Sequence, residues 1–182
     1  MKRSILIRTA ILALAFCLLP FSALAFNSYP IDVDAMKALE KTDTFDVIIA
    51  KKTVADGANS EWWQPDILTL TVDNNSDASL SQITVMIVCY DEEGLTTELQ
   101  GQKGISTFTT YKEKRELNVL TFDVSAKAGA TFQQNIPCAH SHFSGLRALI
   151  VQYVDSDGNA VTNPLYEAWQ ELALGSPTHI LD

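Results

Sequence analysis

Alternating apolar and polar residues dominate the middle of the chain and predict β-strands. In the segment 67–72, Leu68, Leu70 and Val72 occupy one side, while Thr69 and Thr71 occupy the other. A period of two predicts a strand with one buried face. Similar alternation, or a compact apolar run rich in β-branched residues, predicts further strands at 45–50, 117–124, 130–136 and 146–154, with a short one near Val161. We interpret 95–114 as a loop or an irregular edge strand.

The segment 83–90 differs because both of its faces are apolar. Its residues divide into Ile83, Val85, Ile87 and Cys89 on one face and Met86, Val88 and Tyr90 on the other. This pattern predicts a strand in the middle of a sheet that is covered on both sides.

Helical spacing occurs only near the two ends of the chain. The segment 29–41 predicts a short helix capped by Asp32 or Asp34, or alternatively a flexible leader. At the other end, Asn163 and Pro164 precede an apolar stripe at helical spacing that consists of Leu165, Trp169, Leu172 and Ala173. With turn signals at 74–77, 91–94, 127–129 and 155–159, we expect an all-β fold. Its predicted form is an antiparallel β-sandwich of immunoglobulin type, with a short N-terminal helix and a C-terminal amphipathic helix.

Residues 1–25 have the pattern of a secretory signal peptide. Basic residues at the front precede an apolar run over 9–21, and the small residues Ala23 and Ala25 suit a cleavage site. An uncleaved anchor and a lipid-anchored precursor at Cys17 are the alternatives, but the run is short for a membrane span and Phe16 precedes the cysteine. We expect export to the periplasm or the medium, and no transmembrane segment after cleavage. We predict a signal peptide over residues 1–25, a helix or leader over 26–44 and a β-sandwich domain over 45–162. A C-terminal helix over 163–175 and a tail over 176–182 follow it.

The charge of the chain argues against nucleic-acid partners. It has 13 basic and 22 acidic residues, a net charge of −9. Cleavage would remove three basic residues and leave 10 against 22, a charge of −12. Such a surface repels phosphate backbones, so the expected partner is a protein, peptide or glycan.

Two cysteines, Cys89 and Cys138, remain after the predicted cleavage. Export would place them in a compartment where disulfides persist, so we predict a disulfide between them. Closing a loop of about 50 residues would stabilise the fold by roughly 4 kcal/mol. The alternative is a pair of buried free thiols.

The central segments resemble the FxLYD-type domains of exported bacterial proteins. The resemblance spans about 45–165 and rests on the run 67–77, ending Asn74-Asn75-Ser76-Asp77, and on 87–91 with Gly94. A later apolar strand with an Asp-Gly turn, 149–158, also fits, but Ile87 and Cys89 depart from the pattern. The resemblance implies a sandwich fold and an exported setting, and it carries over no catalytic residue.

Three further motifs suggest chemistry, each with a simpler interpretation. Trp62 and Trp63, between polar residues, are our candidate ligand contacts, and at most one ring is expected to be well buried; packing in the core or a lid is the simpler interpretation. His140 and His142 could share a metal ion, but they lack further ligands nearby. The 155–159 segment has carboxylates at alternate positions, as calcium loops do, but a hairpin turn explains the same residues.

We expect a non-catalytic exported module with a binding or structural role, without metal or cofactor. The alternative is an envelope hydrolase or metal-dependent enzyme whose site forms only in three dimensions. The sequence has no Gly-x-Ser-x-Gly motif to favour that alternative.

Overall fold

A computed structural model describes residues 30–55, 66–97, 99, 117–138 and 143–174 of the 182-residue chain. Its elements, in chain order, are α1 Val33–Glu40, β1 Val47–Ala55, β2 Asp66–Asn74, β3 Leu80–Tyr90, β4 Thr96–Thr97, β5 Leu117–Ala126, β6 Thr131–Cys138, β7 Gly145–Asp155, β8 Ala160–Thr162 and α2 Tyr166–Leu174. The strands predicted from alternation are confirmed as β1, β2, β3, β5, β6 and β7, each longer than the predicted segment.

The strands of the described ranges form two antiparallel sheets. The first has the order β1-β2-β6. In the second, β3 pairs with β7 on one side and with β5 and β4 on the other, and β8 continues the sheet beyond β7. The expected antiparallel all-β architecture is therefore confirmed, and β3 has the predicted central position.

Residues from both sheets share one apolar cluster. Leu68, Leu70 and Val72 of β2 are completely buried, as the alternation predicted. They lie in the same cluster as Ile83, Val85 and Ile87 of β3. Burying these side chains is the main favourable term in folding, at about 1.5–3 kcal/mol for each large aliphatic side chain.

A second cluster lies on the opposite face of β3. Met86 and Val88 of β3 and Leu149 and Val151 of β7 are buried there against the two helices. The helices contribute Met36, Leu39, Trp169, Leu172 and Ala173, and Ile31 and Leu165 add to them. Both faces of the central strand are therefore covered, as its two apolar faces required.

Side-chain hydrogen bonds position the start of each helix. Asp32 caps α1 by accepting a hydrogen bond of 2.8 Å from the backbone N–H of Ala35. The side chain of Asn163 accepts a hydrogen bond of 2.8 Å from the N–H of Leu165 and donates one of 2.9 Å to the carbonyl of Ile150. The predicted start of the last helix at 163 needs correction: Pro164 and Leu165 form a turn, and α2 begins at Tyr166. The buried Asn163 ties that turn to β7.

Two predicted turns depend on glycine. Gly94 has φ +79° and Gly158 has φ +88°, a region that side chains with a Cβ rarely adopt. The carbonyl of Gly94 also accepts a hydrogen bond of 2.9 Å from the N–H of Ile31, which fixes the chain just before α1. No helix within the described ranges is long and apolar enough to cross a membrane.

Truncation of Trp169 tests whether α2 is part of the core. Its ring is completely buried, so Trp169→Ala should lower the free energy of unfolding by about 3–5 kcal/mol. Urea denaturation followed by far-UV circular dichroism would measure the loss. Glu171→Ala is the matched control, because Glu171 lies exposed on the same helix. Equal stability of the two variants would contradict the packing of α2 against the sheet.

Candidate functional site

An open groove lies on the outer face of the second sheet, beside the start of α2. It encloses about 530 Å³, part of which is open to solvent. This outer groove is lined by Thr84, Met86, Val119, Val151, Gln152, Thr162 and Tyr166. Met86 and Val151 form an apolar floor that continues into the cluster under the helices. Val119 of β5 is 54% exposed, although it belongs to this floor.

A β-bulge shapes the groove. Thr84 of β3 pairs with Gln152 while Val85 pairs with Ile150, so β7 has one extra residue at this point. Val151 and Gln152 therefore both line the groove, although neighbouring residues of a regular strand point to opposite faces. The bulge therefore places the side-chain amide of Gln152 beside the apolar floor of the groove.

The wall of the groove is polar but uncharged. The hydroxyls of Thr84 and Thr121 are 3.1 Å apart, within hydrogen-bonding distance, and Thr162 and Tyr166 supply further hydroxyls. None of the seven lining residues is an aspartate, glutamate, lysine, arginine or histidine. Such a surface suits a ligand that combines apolar contact with neutral hydrogen-bonding groups.

Cys89 and Cys138 lie in the same buried cluster between the sheets, as free thiols. Burial, and secondly the charge of Cys138, raises the pKa of Cys89 to about 12. Burial, and secondly the charge of Asp66, raises the pKa of Cys138 to about 11, although the backbone N–H of Leu68 opposes this. Both thiols are therefore protonated near neutral pH, and the predicted disulfide stays a prediction.

The other predicted site residues lie outside the described residues. Trp62 and Trp63 fall in the gap 56–65, and His140 and His142 fall in the gap 139–142. The strand ends that flank these gaps lie close together, because Ala55 pairs with Ile67 and Asp66 pairs with Cys138. Ala55, Asp66 and Cys138 therefore mark the same end of the first sheet.

Asp155 is engaged in the turn between β7 and β8. Its carboxylate accepts hydrogen bonds from the backbone N–H groups of Asp157 and Asn159 and from the amide of Asn159. The side chain of Asn159, followed by its backbone N–H, holds the pKa of Asp155 below its usual range. The hairpin interpretation of 155–159 accounts for these contacts.

A partly buried charge cluster, which no sequence motif predicted, links the helices to both sheets. Glu40 at the end of α1 accepts hydrogen bonds from the guanidinium of Arg147 and, at 3.1 Å, from the indole N–H of Trp169. Lys52 of β1 lies 3.5 Å from the same carboxylate. We call Glu40, Lys52, Arg147 and Trp169 the Glu40 network. It joins α1, β1, β7 and α2 at one point.

The Glu40 network has two cations and one carboxylate. Burial lowers the pKa of Lys52; the carboxylate of Glu40 opposes that shift, and Arg147 adds to it. The sequence offered only a weak signal for this cluster, a Lys51-Lys52 pair within a strand. Its members are up to 129 residues apart, so only the tertiary fold brings them together.

Replacement of Lys52 tests this arrangement through pH dependence. The pKa of Lys52 is lower in the folded chain than in the unfolded chain. The protonated form of Lys52 therefore lowers the free energy of unfolding at neutral pH. The penalty disappears as the pH rises past the ordinary lysine value of 10.5. We expect Lys52→Met to be more stable than the parent at neutral pH, with a difference that shrinks towards pH 10.5.

Urea denaturation of parent and variant across this pH range would measure the difference. Glu40→Gln is the contrasting variant, because it leaves Arg147 and Lys52 without their carboxylate and should cost on the order of 2–4 kcal/mol. A Lys52→Met advantage that is constant with pH would contradict the lowered pKa.

Comparison with known proteins identifies a family but no activity. None of the curated proteins compared with the chain matches it. A crystal structure of a hypothetical protein from Peptoclostridium difficile 630 is similar, with a TM-score of 0.49 and 10% identity. The similarity covers 70% of this chain and 91% of that chain. A family model matches residues 67–176, from β2 to the end of α2. This chain belongs to DUF5780, a family of unknown function.

Proposed function

We propose that this chain is an exported, non-catalytic β-sandwich module of immunoglobulin type that acts by binding at the cell envelope or outside the cell. The outer groove is the observation that carries the proposal. Its floor has core-like packing on one side, yet Val119 is 54% exposed on the other. An apolar surface with converging polar groups is the usual form of a ligand site.

Other features support the finer parts of this proposal. The cluster shared by both sheets is the packing that a sandwich requires. The pattern of residues 1–25 supports export, and the resemblance to FxLYD-type domains supports both points. The proposal includes a relationship between this chain and the FxLYD-type domains.

The lining of the groove favours a neutral glycan or an extended peptide as ligand. Thr84, Gln152 and Thr162 can hydrogen-bond to hydroxyl or amide groups, while Met86 and Val151 contact apolar surface. Tyr166 combines both properties in one side chain. Trp62 and Trp63 are a second proposed contact for the same ligand classes.

Photo-crosslinking from the groove tests the binding proposal. A benzophenone amino acid at Tyr166, introduced in the producing cells, should give one discrete adduct, and the adduct's mass would distinguish a polypeptide from a glycan. A second probe at Trp63 tests the other contact, and a probe in the exposed turn at Asp77 is the background control.

A matched pair of variants connects the adduct to the groove. Thr162→Arg places a bulky charge in the groove and should reduce the adduct severalfold, whereas Ala160→Arg alters an exposed position of the same strand outside it. An adduct that both variants affect equally, or none above the Asp77 background, would refute the groove as a binding site.

We also propose that Cys89 and Cys138 are joined in the exported protein. The two thiols would lose two protons and two electrons to a disulfide oxidant of the exporting compartment. Both residues belong to the buried cluster between the sheets, and Cys138 is the second cause of the raised pKa of Cys89. Since Cys89 is in β3 and Cys138 is in β6, the bond would link the two sheets covalently.

Alkylation under denaturing conditions measures the crosslink. Without reductant we expect no labelled cysteine, and after reduction we expect both to be labelled. Reduction should lower the free energy of unfolding by roughly 4 kcal/mol, the value for a closed loop of about 50 residues. Cys138→Ala serves as the control, because it should leave Cys89 open to labelling without reductant. Two cysteines labelled without reductant in the parent would show that the exported protein keeps free thiols.

A further inference from the structure

A row of polar side chains crosses four strands of the second sheet. Thr84 of β3 lies opposite Thr121 of β5 on one side and opposite Gln152 of β7 on the other. Gln152 in turn lies opposite Thr162 of β8. Three of these residues line the outer groove, and Thr121 shares their face, since its hydroxyl is 3.1 Å from that of Thr84. Neighbouring strands are about 4.8 Å apart, so this polar row is about 14 Å long.

An apolar row lies beside the polar row, two residues further along the strands. Met86 of β3 lies opposite Val119 of β5, and both line the groove. Val151, which the register shift leaves without a partner in β3, adds to this apolar row. The groove therefore presents hydroxyl and amide groups along one side and C–H surface along the other.

The main chain beneath the groove is already hydrogen-bonded. Thr84 and Met86 pair with β5 on one side and with β7 on the other. The carbonyl of Val151 accepts a hydrogen bond of 2.8 Å from the N–H of Asn163, and the N–H of Tyr166 donates one of 3.1 Å to the carbonyl of Asn163. A ligand on this floor therefore takes its hydrogen bonds from side chains.

The two rows suit a sugar ring better than a peptide. An extended peptide is recognised mainly through main-chain hydrogen bonds at a sheet edge, which the floor of the groove does not offer. Groups on one face of such a peptide repeat about every 6.6–6.8 Å, whereas the polar row repeats about every 4.8 Å. A pyranose ring has an apolar C–H face and a rim of hydroxyls that both donate and accept, as threonine and glutamine side chains do. One ring can therefore contact both rows at once.

The charges in and around the groove distinguish between neutral and acidic glycans. The seven lining residues include no lysine, arginine or histidine that could bind an acidic sugar or a phosphate group. The chain also has a net charge of −9, which repels anionic polymers. Neither obstacle applies to a neutral ligand.

We propose that the outer groove binds a neutral glycan, with sugar C–H surface on the apolar row and sugar hydroxyls on the polar row. This inference rests on the ligand site proposed above and narrows its two ligand classes to one. Gln152 determines the preference, because its amide lies within the polar row between Thr84 and Thr162 and both donates and accepts hydrogen bonds.

A crosslinking probe at Val119 tests the assignment of a glycan. Val119 is exposed and lines the groove, so a benzophenone amino acid at this position leaves the polar row intact. The adduct formed in the producing cells would be purified under denaturing conditions, hydrolysed in acid and analysed for sugars. We expect neutral sugar from the Val119 probe and only background from a probe in the exposed turn at Asp77.

A matched pair of glutamine variants connects the sugar to the polar row. Gln152→Leu preserves the size of the side chain but removes its amide, and should lower the sugar recovered from the Val119 probe severalfold. Gln133→Leu is the control, because it makes the same change at an exposed position of β6 in the first sheet. Urea denaturation of both variants would show that each is folded. Equal recovery of sugar from two folded variants would overturn the proposal.

The composition of the adduct separates this inference from the binding function on which it rests. A crosslinked polypeptide, or a sugar with acidic groups, would overturn the neutral glycan but leave the groove as a binding site. No adduct above the Asp77 background would overturn both.

Discussion

The burial of β3 on both faces is the constraint on which the rest of the structure depends. A strand with apolar residues on both sides is stable only between two covers, and here one cover is the first sheet and the other is the pair of helices. β3 also pairs with β4, β5 and β7, so it lies at the centre of its sheet. The positions of the helices at the two ends of the chain follow from this demand.

The Glu40 network connects that central packing to the edges. Glu40 contacts Arg147, Lys52 and Trp169, which belong to β7, β1 and α2. Hydrophobic burial holds the helices on the sheet but does not fix their orientation, because apolar contacts have little directionality. A carboxylate with three fixed donors supplies that direction. The network thus ties the last residue of α1 to α2, β1 and β7.

The outer groove exists because the helical cover is incomplete. The helices bury Val88 and Leu149, whereas neither of the two described helices covers the sheet beyond Met86. The β-bulge in β7 then directs the side chain of Gln152 into this part of the groove. Val119 of β5 lines the groove and is 54% exposed, so the groove reaches across the second sheet from β7 to β5.

Local periodicity determined much of the fold, because side chains on a strand alternate whatever their partners are. Leu68, Leu70 and Val72 were assignable to the core from spacing alone, and the two apolar faces of 83–90 were enough to predict a doubly covered strand. Turn glycines such as Gly158 were equally visible, since their backbone requirement is local.

Only the tertiary structure decided which distant residues meet. The groove needs a bulge, a helix start and an edge strand together, and no periodicity marks where a bulge falls. Glu40 and Trp169 carry no local sign of their hydrogen bond, because a contact over 129 residues depends on the path of the whole chain. Lys52 lies just beyond the predicted strand 45–50 with no local sign of its neighbours, and the fold makes it a partly buried cation beside Arg147.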